Sequence, residues 1–114
     1  MYDLPDNISF RDAAIKDLKK LDGSSRRIII KQIIKVSKKP QAKSKGGYGI
    51  PLGNKSGNNL TGYLEIKLRD EGIRCIYKCV ENDKACGMDV IIISIRQDEK
   101  VYREARKRIE NLME

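Results

Sequence analysis

From Gly62 to Val80 the chain alternates apolar and polar residues with period two, pauses at Asp70-Glu71-Gly72, and alternates again. Two such runs joined by a short Gly-containing break predict a β-hairpin. On the first strand Leu64, Ile66 and Leu68 fall on one face, and Tyr63, Glu65, Lys67 and Arg69 on the other. On the second, Ile73, Cys75, Tyr77 and Cys79 share a face, opposite Arg74, Ile76 and Lys78. One face suits a core. The other presents Lys67, Arg69, Arg74 and Lys78 as a cationic surface on a rigid sheet.

The flanking segments switch to helical periodicity. Phe10, Ala14, Leu18 and Leu21 make one apolar stripe, and Ile29, Ile33 and Val36 make a second, widened by Ile30 and Ile34. Asp22-Gly23-Ser24-Ser25 separates them, with Gly near the end of the first helix and Ser as cap of the second, which runs to about Lys38. So short a turn predicts an antiparallel helical hairpin. Part of Tyr2 to Phe10 is expected as an edge strand, with Pro5 at an edge or bend. Residues 39–60 are rich in Gly, Asn, Pro, Lys and Ser and read as a long loop. Val90 to Ile95 is a third strand, apolar on both faces until Ser94 and therefore central, with Arg96 sharing a face with Ser94, Ile92 and Val90. Asp98 is placed to cap a last helix with the stripe Val101, Ala105, Ile109 and Leu112, and Tyr102 lies beside it. The predicted architecture is α+β: a small antiparallel sheet of three to four strands packed against an N-terminal helical hairpin, with a C-terminal helix.

Size and charge narrow the chemistry. The 114 residues suit one domain, 1–114, and 24 Lys plus Arg against 16 Asp plus Glu leave a net charge of +8. That balance favours polyanionic partners: RNA, DNA, an anionic membrane or an acidic protein. The longest apolar run is far too short to span a bilayer. The cysteines are Cys75, Cys79 and Cys86; the first two lie about 13 Å apart along one strand, too far for a disulfide. With no histidine, no metal-ligand spacing and no signal sequence, reduced thiols in a cytoplasmic protein are expected, with neither metal nor cofactor. Any catalysis must use Lys, Arg, Tyr or a carboxylate.

Several short pieces, in order, carry a resemblance: Lys16-Asp17-Leu18-Lys19-Lys20-Leu21-Asp22, Pro51-Leu52-Gly53-Asn54, Leu60-Thr61-Gly62-Tyr63-Leu64-Glu65-Ile66-Lys67-Leu68-Arg69, Gly72-Ile73-Arg74-Cys75-Ile76-Tyr77, Ile93-Ser94-Ile95-Arg96 and Val101-Tyr102-Arg103-Glu104-Ala105. Over nearly the whole chain this resembles the RelE/ParE superfamily of type II toxins, and within it the RelE branch, whose members cut mRNA in the ribosomal A site. The resemblance implies catalytic roles for Lys67, Arg74, Arg96 and Tyr102; from their place on the hairpin Arg69, Lys78 and Glu65 are candidate RNA contacts, with a structural role equally open for Arg69. It implies a cognate antitoxin, mRNA and the ribosome as partners, and a toxin–antitoxin assembly that binds operator DNA through the antitoxin. Glu65 departs from the family pattern, which has another lysine there, and the Gly-Lys that often precedes the last arginine is absent before Arg96.

The residues themselves fit such chemistry. RNA cleavage by the substrate's own 2′-hydroxyl needs a base, cations for the developing phosphorane and an acid for the leaving 5′-oxygen. Lys67 is a candidate base; Arg74 and Arg96 suit charge stabilisation; Tyr102 suits stacking on a base or orienting the 2′-hydroxyl. Glu65 is either a base or a partner that keeps Lys67 charged. Two other readings stand beside this one: a ParE-like inhibitor of DNA gyrase without catalysis, and a non-toxic RNA- or partner-binding module on the same fold.

Overall fold

A computed structural model describes residues 4–81, 86–95 and 99–112. Arg96 and Asp98 lie outside the described residues. Ten elements follow in order: β1 (Ile8–Phe10), α1 (Asp12–Lys20), α2 (Gly23–Ser37), β2 (Ile50–Pro51), β3 (Asn54–Lys55), β4 (Asn58–Asn59), β5 (Tyr63–Leu68), β6 (Ile73–Glu81), β7 (Cys86–Ser94) and α3 (Glu99–Leu112). The architecture is the expected α+β. The predicted hairpin is β5–β6, with Lys67 opposite Arg74, and β7 pairs antiparallel on the far side of β6. Its loop closes through the Gly72 N–H donating to the Arg69 carbonyl (3.3 Å), with Gly72 at φ +69°. That left-handed backbone is why a glycine stands there.

The sheet is wider than expected. Its order is β1-β7-β6-β5-β2, so β7 is internal, and β1 adds a parallel edge while β2 adds an antiparallel one. β2 has only two residues, too few to show a period, and its Pro51 sits where a missing N–H is harmless. Residues 39–60 are therefore not one open loop. They hold a 3₁₀ turn (Lys43–Lys45), β2, and a separate ribbon, β3–β4, turned by Ser56 (φ 54°) and Gly57 (φ 84°). Two residues with positive φ make the tight hairpin turn whose twist matches paired strands. The start of this segment is tied to the sheet by buried Tyr77, whose hydroxyl donates to the Pro40 carbonyl (2.7 Å). Gly49 has no side chain because that hydroxyl occupies the space a Cβ would need.

Helices cover both faces of the sheet. On one side α1 and α2 pack Ala14, Leu18, Ile29 and Ile33 against Ile66, Cys75, Tyr77 and Val90. On the other, Val101, Ala105 and Ile109 of α3 pack on Leu60, Ile76, Ile91 and Ile92. The face read as a cationic surface is thus largely a second core. A register shift at Ile76/Tyr77 sets Ile76 opposite Ile92 but Tyr77 opposite Val90, leaving Ile91 over as a bulge. Ile91 and Ile92 then face α3, whereas Val90 and Ile93 face α1 and α2. The shared face expected for Val90 and Ile92 does not exist.

The α1–α2 turn is built from side chains. Asp22, not a serine, caps α2, accepting from the Ser25 N–H (2.7 Å), and Gly23 is the first residue of α2 rather than the end of α1. That hydrogen bond holds the Asp22 carboxyl below its ordinary value, so the charged cap is lost only as pH falls below the usual aspartate range. Arg26 donates to the Leu18, Lys19 and Leu21 carbonyls (3.1, 3.2 and 2.7 Å), satisfying the end of α1.

Where β1 stops, the edge of β7 is closed by an ion pair. Asp17 accepts from the Ile93 N–H (3.0 Å), and Arg108 donates to the Ile91 carbonyl (3.0 Å). The two side chains are joined by two hydrogen bonds of 2.6 and 3.0 Å, which raise the Arg108 pKa. One pair therefore replaces a missing strand and fastens α3 to α1. Among the described residues no helix is long and apolar enough to cross a membrane.

Asp17→Ala leaves the Ile93 N–H without its acceptor and Arg108 without its carboxylate partner, and should cost about 3 kcal/mol in urea unfolding; a loss under about 1 kcal/mol would show that the edge is satisfied otherwise. Burial pushes up the thiol of fully buried Cys75 and also that of Cys79, which is less completely enclosed; Cys79 and Cys86 are half-buried and open to reagent. A thiol reagent at about pH 8 should label Cys79 and Cys86 in the native protein and Cys75 only after unfolding; rapid native labelling of all three would contradict this burial.

Candidate functional site

Lys67 and Arg74 stand directly opposite each other on β5 and β6. Like charges in that position repel. Between them lies Glu65, two residues before Lys67 on the same face, with its side chain only 2 % exposed. Its Oε1 is 3.8 Å from Lys67 Nζ, and its Oε2 is 3.6 Å from an Arg74 nitrogen. The carboxylate is the counter-ion that lets two cations share one strand pair.

The fourth member comes from α3. Packing Val101, Ala105 and Ile109 on the sheet brings Tyr102 over β5 and β6. Arg74 donates to the Tyr102 hydroxyl (3.2 Å), and that hydroxyl donates to Glu65 Oε1 (3.4 Å). The Arg74 guanidinium also lies 6.0 Å from the centre of the Tyr102 ring. Glu65 Oε2 is buried without a hydrogen-bond partner. A carboxylate so placed draws its stability from charge rather than from a full hydrogen-bond set.

The sequence-predicted residues separate into groups. Lys67, Arg74, Tyr102 and Glu65 come together. Arg69 is exposed in the hairpin turn and lines, with Lys67 and Arg74, an open depression of ≈ 360 Å³. Lys78 is exposed, opposite Tyr63 and Asp89, about 13 Å along β6 from Arg74 and apart from the cluster. Arg96 is outside the described residues. Two placements differ from expectation. Glu65 lies beneath the cationic surface and offers RNA no exposed contact, because α3 and the sheet enclose it. Tyr102 is 7 % exposed with its ring in the second core, so its hydroxyl, not a stacking face, is what it brings to the site.

One residue was not singled out from sequence. Lys55, on β3, holds its Nζ 5.9 Å from the centre of the Tyr102 ring. The legible signal was local: Asn54-Lys55-Ser56-Gly57-Asn58 carries a Ser-Gly turn, which marks a hairpin. Among the described residues no cluster of three or more His, Cys, Asp or Glu side chains could hold a metal ion. The arrangement offers cations on a rigid sheet, a hydroxyl fixed by two hydrogen bonds and a buried carboxylate. It suits holding a phosphodiester and the negative charge that grows on it.

These features define a small basic α+β domain with its cationic site on a central hairpin. No protein-family model matches the chain. It is 28% identical over 102 residues to the mRNA interferase toxin RelE of Escherichia coli (strain K12), covering 90% of this chain and 95% of that protein. The isolated E. coli RelE toxin matches in structure with a TM-score of 0.58 and 27% identity, over 90% of this chain and 96% of that one. A double arginine-to-alanine variant of E. coli RelE in complex with an antitoxin RelBc peptide matches with a TM-score of 0.59 and 26% identity, over 86% and 90%. In sequence and in fold this chain is RelE-like.

Glu65→Gln keeps the shape of the side chain and removes its charge. It should lower stability by about 1–2 kcal/mol at low salt and by less at high salt, where the Lys67–Arg74 repulsion is screened. Thermal melts at two ionic strengths would check this; a salt-independent loss would point to packing instead.

Proposed function

We propose that this protein is the toxin of a type II toxin–antitoxin pair, an endoribonuclease that cuts mRNA in the ribosomal A site. The observation that carries the reading is the joining of Lys67, Arg74 and Tyr102 around buried Glu65, in a chain similar to RelE over nine-tenths of its length. In the proposed reaction the 2′-hydroxyl gives its proton to a solvent water, the 2′-oxygen attacks the adjacent phosphorus, and the bond to the 5′-oxygen breaks as that oxygen takes up a proton. The products are a 2′,3′-cyclic phosphate and a 5′-hydroxyl. Negative charge builds on the phosphorane, and the cations of the site are already ordered to meet it.

Arg74 suits a non-bridging oxygen, because it keeps its proton throughout. Lys67 is paired with a carboxylate at 3.8 Å, and as an ammonium it has a proton to give. It therefore fits the leaving 5′-oxygen better than the base role considered from sequence. Tyr102 orients, its hydroxyl held between Arg74 and Glu65. Arg96, assigned by resemblance, is a further cation for the same phosphate. Arg69 and Lys78 contact the RNA backbone beyond the scissile bond. Cation side chains carry the charge stabilisation, without a metal or cofactor.

The ribosome positions the mRNA, a contribution worth several kcal/mol of barrier that so small a site does not supply alone. The antitoxin is a segment whose acidic or amphipathic face covers the basic surface, and the pair binds operator DNA through the antitoxin. The RelE relative is solved with an antitoxin peptide, which supports a partner of this kind. The proposed compartment is the cytoplasm, where ribosomes and message meet.

Ribosomes programmed with a defined mRNA, followed by primer extension, test the reading. The wild type should cut within the A-site codon. Arg74→Ala should lose about 100-fold or more in rate, and Tyr102→Phe about 10-fold. An intact message, or undiminished cutting by Arg74→Ala, overturns the proposal; an intact message with blocked gyrase supercoiling would turn it toward the gyrase-inhibitor class.

A further inference from the structure

The ribbon β3–β4 is an unusual element for so small a chain. Its six residues, Asn54-Lys55-Ser56-Gly57-Asn58-Asn59, contain no apolar side chain and contribute nothing to either core. A two-stranded ribbon of this length is not stable by itself in water. It is held by polar bonds. Asn54 Oδ1 accepts from the Gly57 N–H (2.9 Å), and Asn58 donates to the Lys55 carbonyl (3.0 Å). Leu60 N–H donates to the Gly53 carbonyl (2.9 Å) across its base, and Arg106 of α3 donates to the Asn59 carbonyl (3.3 Å). Leu52 and Leu60, on either side, are buried in the second core. Among the ribbon's six residues one side chain is charged, and it is a cation.

That cation is Lys55. It is half-buried, and its Nζ lies over Tyr102, the residue that Arg74 approaches at 6.0 Å from the same ring. Among the described residues Lys55 forms no ion pair, whereas Lys67 and Arg74 share Glu65. Lys55 and Arg74 both approach the Tyr102 ring, and Lys67 shares Glu65 with Arg74, so Lys55 adds a cation beside a pair that is already there. A half-buried cation without an ion pair, set beside other cations, is destabilised by them, and a phosphate relieves that repulsion. Lysine suits the task as a mobile point charge on a long stem.

We infer that Lys55 is a further substrate-contacting residue of the site, and that the ribbon exists to hold it against a backbone phosphate of the RNA strand lying beside Tyr102. The inference rests on the endoribonuclease reading for the identity of the RNA, and on the ribbon's own geometry for the contact. It assigns the β3–β4 ribbon a place on the substrate path beside Tyr102.

Lys55→Met tests it, because methionine keeps most of the stem over the Tyr102 ring and removes the charge; Lys55→Arg restores the charge. Two measurements are made on wild type and both variants. The first is the single-turnover rate of cutting on programmed ribosomes. The second is binding of a short single-stranded 2′-O-methyl RNA, which cannot be cut, across a range of salt concentrations. Lys55→Met should slow cutting by about 10-fold and reduce the slope of log affinity against log salt by about 0.7, the value for one lost phosphate contact on a single strand. Lys55→Arg should keep the wild-type slope. Melting temperatures of all three proteins should agree, and a merely structural Lys55 would move the melt and leave the slope unchanged.

Cutting by the wild type with an unchanged slope and rate in Lys55→Met overturns the Lys55 contact and leaves the endoribonuclease reading intact. No cutting by the wild type, with the slope still reduced in Lys55→Met, overturns that reading and keeps the contact. No cutting and no RNA binding by the wild type overturns both.

Discussion

Val90 to Ile93 are four consecutive apolar residues on an internal strand, and they cannot be buried from one side. Side chains alternate across a strand, so such a run needs cover on both faces. The bulge at Ile91 sharpens the demand by turning Ile91 and Ile92 the same way. The α1–α2 hairpin covers one side. Only α3 is left for the other, and its apolar stripe fits it for the place. The same docking carries Tyr102 to Arg74 and Glu65. The site is therefore a consequence of burying β7.

The docking of α3 rests on rather few groups. Val101, Ala105 and Ile109 supply the apolar contact, and the Asp17–Arg108 pair supplies the directional one. That pair also satisfies two backbone groups on the open edge of β7, so it anchors a helix and closes a sheet with the same atoms. Edge strands must be covered or blunted in a soluble fold. Here a charged side-chain pair does it, at the point where the helix meets the rest of the protein.

Within the site the central fact is electrostatic. Lys67 and Arg74 are forced face to face by the hairpin register, and the Glu65 carboxylate pairs with both. A buried carboxylate is costly unless cations compensate it, and adjacent cations are costly unless an anion compensates them. Each resolves the other's problem. This gives a carboxylate at position 65 a physical meaning: the charge it adds is internal, and the exposed side chains around it stay cationic. Lys55, on the ribbon, brings its Nζ to the Tyr102 ring from an element outside the hairpin.

Much of this was legible from residue order alone. The β5–β6 hairpin, the two N-terminal helices, the apolar central strand and the last helix each announce themselves by a period, because burial on one or two faces imposes one. The pairing of Lys67 with Arg74 follows from hairpin register. What left no periodic trace was anything two residues long or held by polar side chains: β2, the β3–β4 ribbon, and the Asp22 cap in place of a serine. Nor does alternation reveal a bulge, so the faces of Val90 and Ile92 were read as one. Above all, a sequence pattern states which residues are apolar but not which surface they will meet. That α3 would cover the cationic face, bury Glu65 and Tyr102, and leave Arg108 to Asp17 was decided by tertiary packing, since those contacts join residues far apart in the chain whose meeting depends on how the whole sheet is closed.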